Sequence, residues 1–185
     1  MAGPRVVTDS SCDLPSALAA ELDIDIVPLT IRFGAEELVD RRDLSPKEFW
    51  SRCTTSPVLP ETAAPSPGAF EDAYRRAADA GAEGVVCITI SSQLSATGQA
   101  AQMAAKSVQG EIPVRTVDSL SVTMGLGMMA AAAARLAAEG NNVDDVAAAA
   151  EALVPRERMV VGDIGAVIGA HAGPRVIGMA YQVSG

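Results

Sequence analysis

The sequence predicts an α/β protein: an open, mostly parallel sheet flanked by helices, with a small β-rich C-terminal segment. Three observations carry that prediction. Apolar, β-branched runs alternate with helical patterns through the first 150 residues, the order expected of a parallel sheet covered on both faces. The chain is 49% hydrophobic but only 3% aromatic, with abundant Ala, which suits helices packed closely on a sheet. After Pro155 the pattern turns Gly-punctuated and β-rich, and "VPRER" is the one plausible boundary, so the domains read as 1–154 and 155–185.

In chain order, "RVVT" is a short buried strand and "LPSALAAEL" a helix with Pro15 in its first turn. "IDIVPLTIRF" reads as a second strand in which Pro28 marks an edge or a bulge. "SPKEFW" starts a helix, with Ser45 as cap, Pro46 at the first position and Glu48 placed for a capping box; "SPGAFEDAYRRAADAG" repeats the device with Ser66 and Pro67 and stops near Gly81. "GVVCITI" is a third strand, "LSATGQAAQMAAKSV" a small-residue helix and "VRTVDS" a fourth strand. "TMGLGMMAAAAARLAAEG" is the longest apolar helix, ending at Gly140, and "NVDDVAAAAEAL" is a helix capped by Asn142. "RMVVGDIGAVIGAHAGP" and "VIGMAYQV" read as two strands around a Gly-Pro turn.

With 185 residues the chain has room for one ordinary core, or one plus an appendage. Its formal net charge of −9 repels nucleic acid and anionic membrane surfaces, and no basic stripe overrides it, so no nucleic acid is expected and peripheral membrane contact is not indicated. The three cysteines are widely spaced with no C-x-x-C pair, which points to reduced thiols and not to zinc. The N-terminus carries no hydrophobic signal region, and Arg135 with the flanking glycines makes "MGLGMMAAAAARLAA" a buried helix in place of a membrane span; a cytoplasmic protein is expected.

Three strands end in hydroxyl clusters: "TDSS" at 8–11, "TISSQLSAT" at 89–97 and "DSLSVT" at 118–123. The carboxyl ends of parallel strands lie along one edge, where ligands bind, so the clusters should converge, with "TAAPSP" (Thr62, Ser66) facing the same edge. Helix N-termini and neutral hydroxyls together hold an anion. With no Lys or Arg close in sequence, a carboxylate fits better than a phosphate. The competing reading is that such residues serve as caps and turn formers, and that Asp9 and Asp118 cap helices or orient hydroxyls. Strand alternation puts Ser91 and Ser92 on opposite faces, so at most one of them points at a ligand; Ser95 is the first choice and Ser92 the next. Phosphate-loop, dinucleotide and nucleophile-elbow motifs are missing. An enzyme using Asp9, Asp118 or His171 is therefore the weakest of the functional readings.

The ordered segments "VTDSSCDLP", "VPLTIRFG", "DLSPKEFW", "PETAAPSPGAFEDAY", "ITISSQLSATGQAA", "VDSLSVTMGLG" and "GDIGAVIGAHAGP" resemble the DegV proteins, a bacterial fatty-acid-binding family that includes the binding subunits of fatty acid kinase. The resemblance implies a two-domain, non-catalytic carrier of a long-chain acid such as palmitate, stearate or oleate. It implies no cofactor or metal, and presentation of the acid to a separate kinase subunit. It places ligand roles on Thr62, Ser91, Ser92, Ser95 and His171; the clusters add Ser10 and Ser119. Departures are the missing Ser and Gln after Thr62, Ala96 for a usual Gly, and Arg175 for another. A second-domain block, with its Gly-Gly-Arg stretch, is also absent between the helix near Ala152 and the tail. That absence predicts an open tunnel, weaker lipid binding and an incomplete kinase-docking surface. It also motivates the alternative of an interaction module or degenerate paralogue with impaired lipid binding.

Overall fold

The computed structural model describes residues 3–150 and 165–172. The chain opens with β1 (Arg5–Asp9), a 3-10 turn (Ser10–Cys12), α1 (Ser16–Glu21) and β2 (Asp25–Val27). Then come β3 (Thr30–Phe33), β4 (Glu36–Val39), α2 (Pro46–Thr55), β5 (Glu61–Ala63) and α3 (Pro67–Asp79). The remainder is β6 (Val85–Thr89), α4 (Thr97–Ser107), β7 (Val114–Asp118), α5 (Met124–Ala138), α6 (Val143–Ala150) and α7 (Ala166–Ala172).

Four strands form a parallel sheet in the order β2-β1-β6-β7. Val6 pairs with Val86 and Val7 with Cys87, so alternate residues serve opposite faces. Val6, Val86, Ile88 and Val117 pack under α1, α5 and α6. Val7, Val27, Val85 and Cys87 pack under α3 and α4. Burial on both faces explains why "GVVCIT" reads as an unbroken apolar run. The chain leaves β1 toward β2 on one side and returns to β6 on the other. Their carboxyl ends therefore bound a crevice where the strand order reverses.

The caps at Ser45, Ser66 and Asn142 and the stops at Gly81 and Gly140 act as the sequence predicts. Ser45 Oγ accepts from Glu48 N–H at 3.2 Å and Ser66 Oγ from Ala69 N–H at 3.2 Å. Asn142 Oδ1 takes the N–H groups of Asp144 and Asp145. Gly81 (φ 83°) and Gly140 (φ 90°) adopt the left-handed conformation just past α3 and α5. The apolar α5 is buried on the sheet, and among the described residues no helix is long and apolar enough to cross a membrane.

Two features differ from the sequence prediction. "IDIVPLTIRF" is not one strand: Pro28, which has no N–H to donate, separates β2 of the parallel sheet from β3 of a second sheet. That sheet is antiparallel, ordered β4-β3-β5. The second correction concerns the expected β-rich tail. Residues 166–172 form the helix α7: three of the seven residues of "AVIGAHA" are Ala, the strongest helix former, and its Ala166 and Val167 find an apolar seat against Leu29, Ile31, Leu44 and Phe49. The other residues of the expected 155–185 segment lie outside the described residues. Phe49, fully buried, is worth about 2–3 kcal/mol by transfer of its side chain from water, and its ring meets those of Phe33 and Trp50 at 6.0 and 5.1 Å.

Candidate functional site

The three hydroxyl clusters converge at the carboxyl edge of the parallel sheet, and Asp9 and Asp118 tie them together. Asp9 ends β1 fully buried; its Oδ2 accepts from Ile90 N–H at 2.8 Å across the crevice, and its Oδ1 from the N–H and hydroxyl of Ser11. Burial pushes its carboxyl above the usual range, opposed by those hydrogen bonds and by Arg41. On the far side, Ser91 N–H donates to Ser121 O at 2.9 Å and Ser119 N–H to Thr89 O at 3.2 Å. Asp118 Oδ1 accepts from the N–H groups of Ser92 (3.1 Å) and Leu120 (3.0 Å). Burial works against the ionised form of Asp118, but the Ser92 hydroxyl and these N–H groups outweigh it and hold its carboxyl below the usual range. Both acids thus orient hydroxyls and loops, the role weighed against acid–base work from the sequence.

An anion needs protons to bind, so where each serine sends its proton decides what it offers. Ser10 Oγ accepts from Leu29 N–H at 3.1 Å and hydrogen-bonds Asp40, which joins the first sheet to the second. The Ser92 hydroxyl is engaged by Asp118. Ser119 Oγ donates to Ser121 O and accepts Ser121 N–H, both at 3.1 Å. Ser91 Oγ accepts from Gln93 N–H at 3.3 Å, and no described residue takes its proton. Ser95 Oγ accepts from Thr97 N–H at 3.2 Å and lies 2.8 Å from Thr97 Oγ1. Ser91 is buried and Ser92 exposed, the opposed environments expected of neighbours, although both lie beyond the end of β6.

Thr62 sits in β5 opposite Ile31 and so shares the face of the second sheet that carries the buried Ile31. The helix α7, which carries His171, packs against both β5 and the 3-10 turn that carries Ser10. The His171 side chain lies outside the described residues.

Sequence reasoning missed the charged cluster beneath the site. Arg41 (φ 64°) donates to Leu14 O at 2.8 Å and faces Asp9, Asp13 and Asp40. The edge therefore does hold a cation, but one set among three carboxyls; "DRRDLS" reads as an ordinary charged loop and gives no sign of it. Asp13 Oδ1 accepts from Gly165 N–H at 2.9 Å at the start of α7, and its Oδ2 is buried with no partner among the described residues. Burial raises Asp13 to about 7 and the neighbouring Cys12 thiol to about 12, so that thiol stays protonated. Non-glycine residues with positive φ gather at this edge: Asp13, Arg41, Leu120 and Thr123, the last β-branched at φ 55°. A cleft of about 520 Å³ between the end of α4 and β7, lined by Lys106 and Arg115, lies toward the other end of the sheet.

The family model described as an uncharacterised protein of the DegV family matches residues 4–162, and the chain belongs to the DegV family. A DegV domain-containing protein of Mycobacterium bovis is 43% identical over 152 residues, 82% of this chain and 51% of its own length. A fatty-acid-binding DegV family protein from Thermus thermophilus matches with 34% identity and a TM-score of 0.73, over 80% of this chain and 52% of that one. A stearic-acid-binding protein from Eubacterium ventriosum matches with 26% identity and a TM-score of 0.74, over 81% and 53%. The chain spans about half the length of the relatives it matches.

Proposed function

We propose that the chain binds a long-chain fatty acid without chemistry of its own, its carboxylate held at the carboxyl edge by Ser95 and Ser91. Thr62 and His171 approach from the second sheet and α7. The observation that carries this reading is the convergence of three serine-bearing loops at the crevice where the strand order reverses, with Ser91 and Ser95 two of the serines whose protons no acidic or carbonyl acceptor takes among the described residues. The fatty-acid-binding relatives support the ligand class. Ser10, Ser92 and Ser119 act in this reading as struts that hold the loops. Residues 1–154 serve as the head-group domain and 155–185 as part of a second domain. The bound acid, of the palmitate, stearate or oleate class, is presented to a fatty acid kinase subunit that forms the acyl phosphate.

The test is uptake of labelled palmitate or oleate by delipidated protein, alongside native mass spectrometry of freshly purified protein. Saturable uptake and a co-purified acid are expected. Failure of both favours an interaction module that has lost lipid binding. For the kinase step, the chain should stimulate acyl phosphate formation when added to a fatty acid kinase subunit, and no stimulation would remove that part.

A further inference from the structure

We propose that Thr97 fixes the direction of the Ser95 hydroxyl proton and so makes Ser95 a dedicated donor that prefers an anionic head group over a neutral one. This rests on the reading of Ser95 as the head-group residue. A serine oxygen has two lone pairs and one proton. One lone pair of Ser95 Oγ takes Thr97 N–H at 3.2 Å. The other faces Thr97 Oγ1 at 2.8 Å. Thr97 is fully buried at the first position of α4, where water does not compete for its hydroxyl, and Ser95 Oγ is the partner that this hydroxyl has among the described residues. When Thr97 donates, both lone pairs of Ser95 are filled and its proton must leave in the remaining direction. Ser95 is half-buried in a turn whose neighbours Leu94 and Ala96 are exposed, so a ligand can approach this turn.

A carboxylate accepting this proton completes a one-way chain, from the Thr97 hydroxyl through the Ser95 hydroxyl to the anion, in which each bond polarises the next. The gain is larger for a charged acceptor than for a neutral alcohol oxygen. Without the Thr97 hydroxyl, Ser95 keeps its N–H partner but its proton is no longer directed. Thr97 is thus a positioning residue that acts through Ser95.

The experiment compares palmitate with 1-hexadecanol, of equal chain length, on delipidated wild-type protein and the variants Thr97→Val, Thr97→Ser and Ser95→Ala. Thr97→Val keeps the shape and removes the hydroxyl. It should weaken palmitate about three- to tenfold, the loss of one directed hydrogen bond, and leave hexadecanol within about twofold. Thr97→Ser should bind palmitate as wild type does. Equal weakening of both ligands by Thr97→Val, loss of binding in Thr97→Ser, or wild-type palmitate binding by Thr97→Val beside a weakened Ser95→Ala would overturn the proposal. Wild-type binding by Ser95→Ala is the separate outcome that removes the head-group reading itself.

Discussion

Ser10, Ser92 and Ser119 send their hydroxyls to Asp40, Asp118 and Ser121 O, whereas Ser95 and Ser91 have no such fixed acceptor among the described residues. The residue types at the edge are legible in "ISSQLSATG", where the sequence makes Ser95 the first choice. The directions of the protons are not, because they depend on partners such as Asp40 and Asp118 that lie far along the chain. Ser95→Ala is expected to weaken fatty acid binding about tenfold or more, as a hydrogen bond to a charged group is lost, while Ser119→Ala changes affinity less than about threefold and lowers stability by about 1 kcal/mol. Titration with labelled palmitate and urea unfolding check the two halves. Asp13 gives a prediction in pH. Its folded value of about 7 stands above its unfolded 3.8, so the stability it contributes is fully present below 3.8 and is lost as pH rises through about 7. Buried Asp9 and Asp40 are shifted the same way, with Arg41 opposing all three. The wild-type melting temperature should therefore fall between pH 5 and 8. Asp13→Asn keeps an acceptor for Gly165 N–H and should flatten much of that slope, Asp13's full share being on the order of 4 kcal/mol. A protein more stable at pH 8 than at pH 5 would contradict this.

Among the elements, helix starts and stops were readable because each is written in adjacent residues: Ser45-Pro46, Ser66-Pro67, Asn142, Gly81 and Gly140. What escaped was decided at a distance. Three short strands, β3 to β5, pack on the cluster that seats Phe49, and "AVIGAHA" is helical where its Ala and Val residues meet that same cluster and Asp13 receives the N–H of Gly165 just before it. The sequence pattern around Gly127 likewise hides a tight approach. A Cβ there would stand 2.4 Å from Cys12 O, so α5 lies directly on the 3-10 turn that carries Ser10. Gly127→Ala should push α5 from the turn and destabilise the fold by about 1–3 kcal/mol, read as a lower urea midpoint. An unchanged midpoint would mean that the turn yields without cost.

At the scale of the whole molecule, the parallel sheet and the convergence of the serine loops followed from alternation and the strand-end rule, since both depend only on the order of elements. The second sheet did not, because its strands of three and four residues carry too little pattern to read. Together the two sheets set Ser95 and Ser91 on the parallel-sheet edge and Thr62 on β5, with α7 packed against both β5 and the 3-10 turn. The most direct test of the head-group assignment is a crystal structure of the chain grown with palmitate. Elongated density is expected at the carboxyl edge, with its carboxylate about 2.6–2.9 Å from Ser95 Oγ. A palmitate whose carboxylate lies elsewhere, with Ser95 left to Thr97 alone, would contradict it.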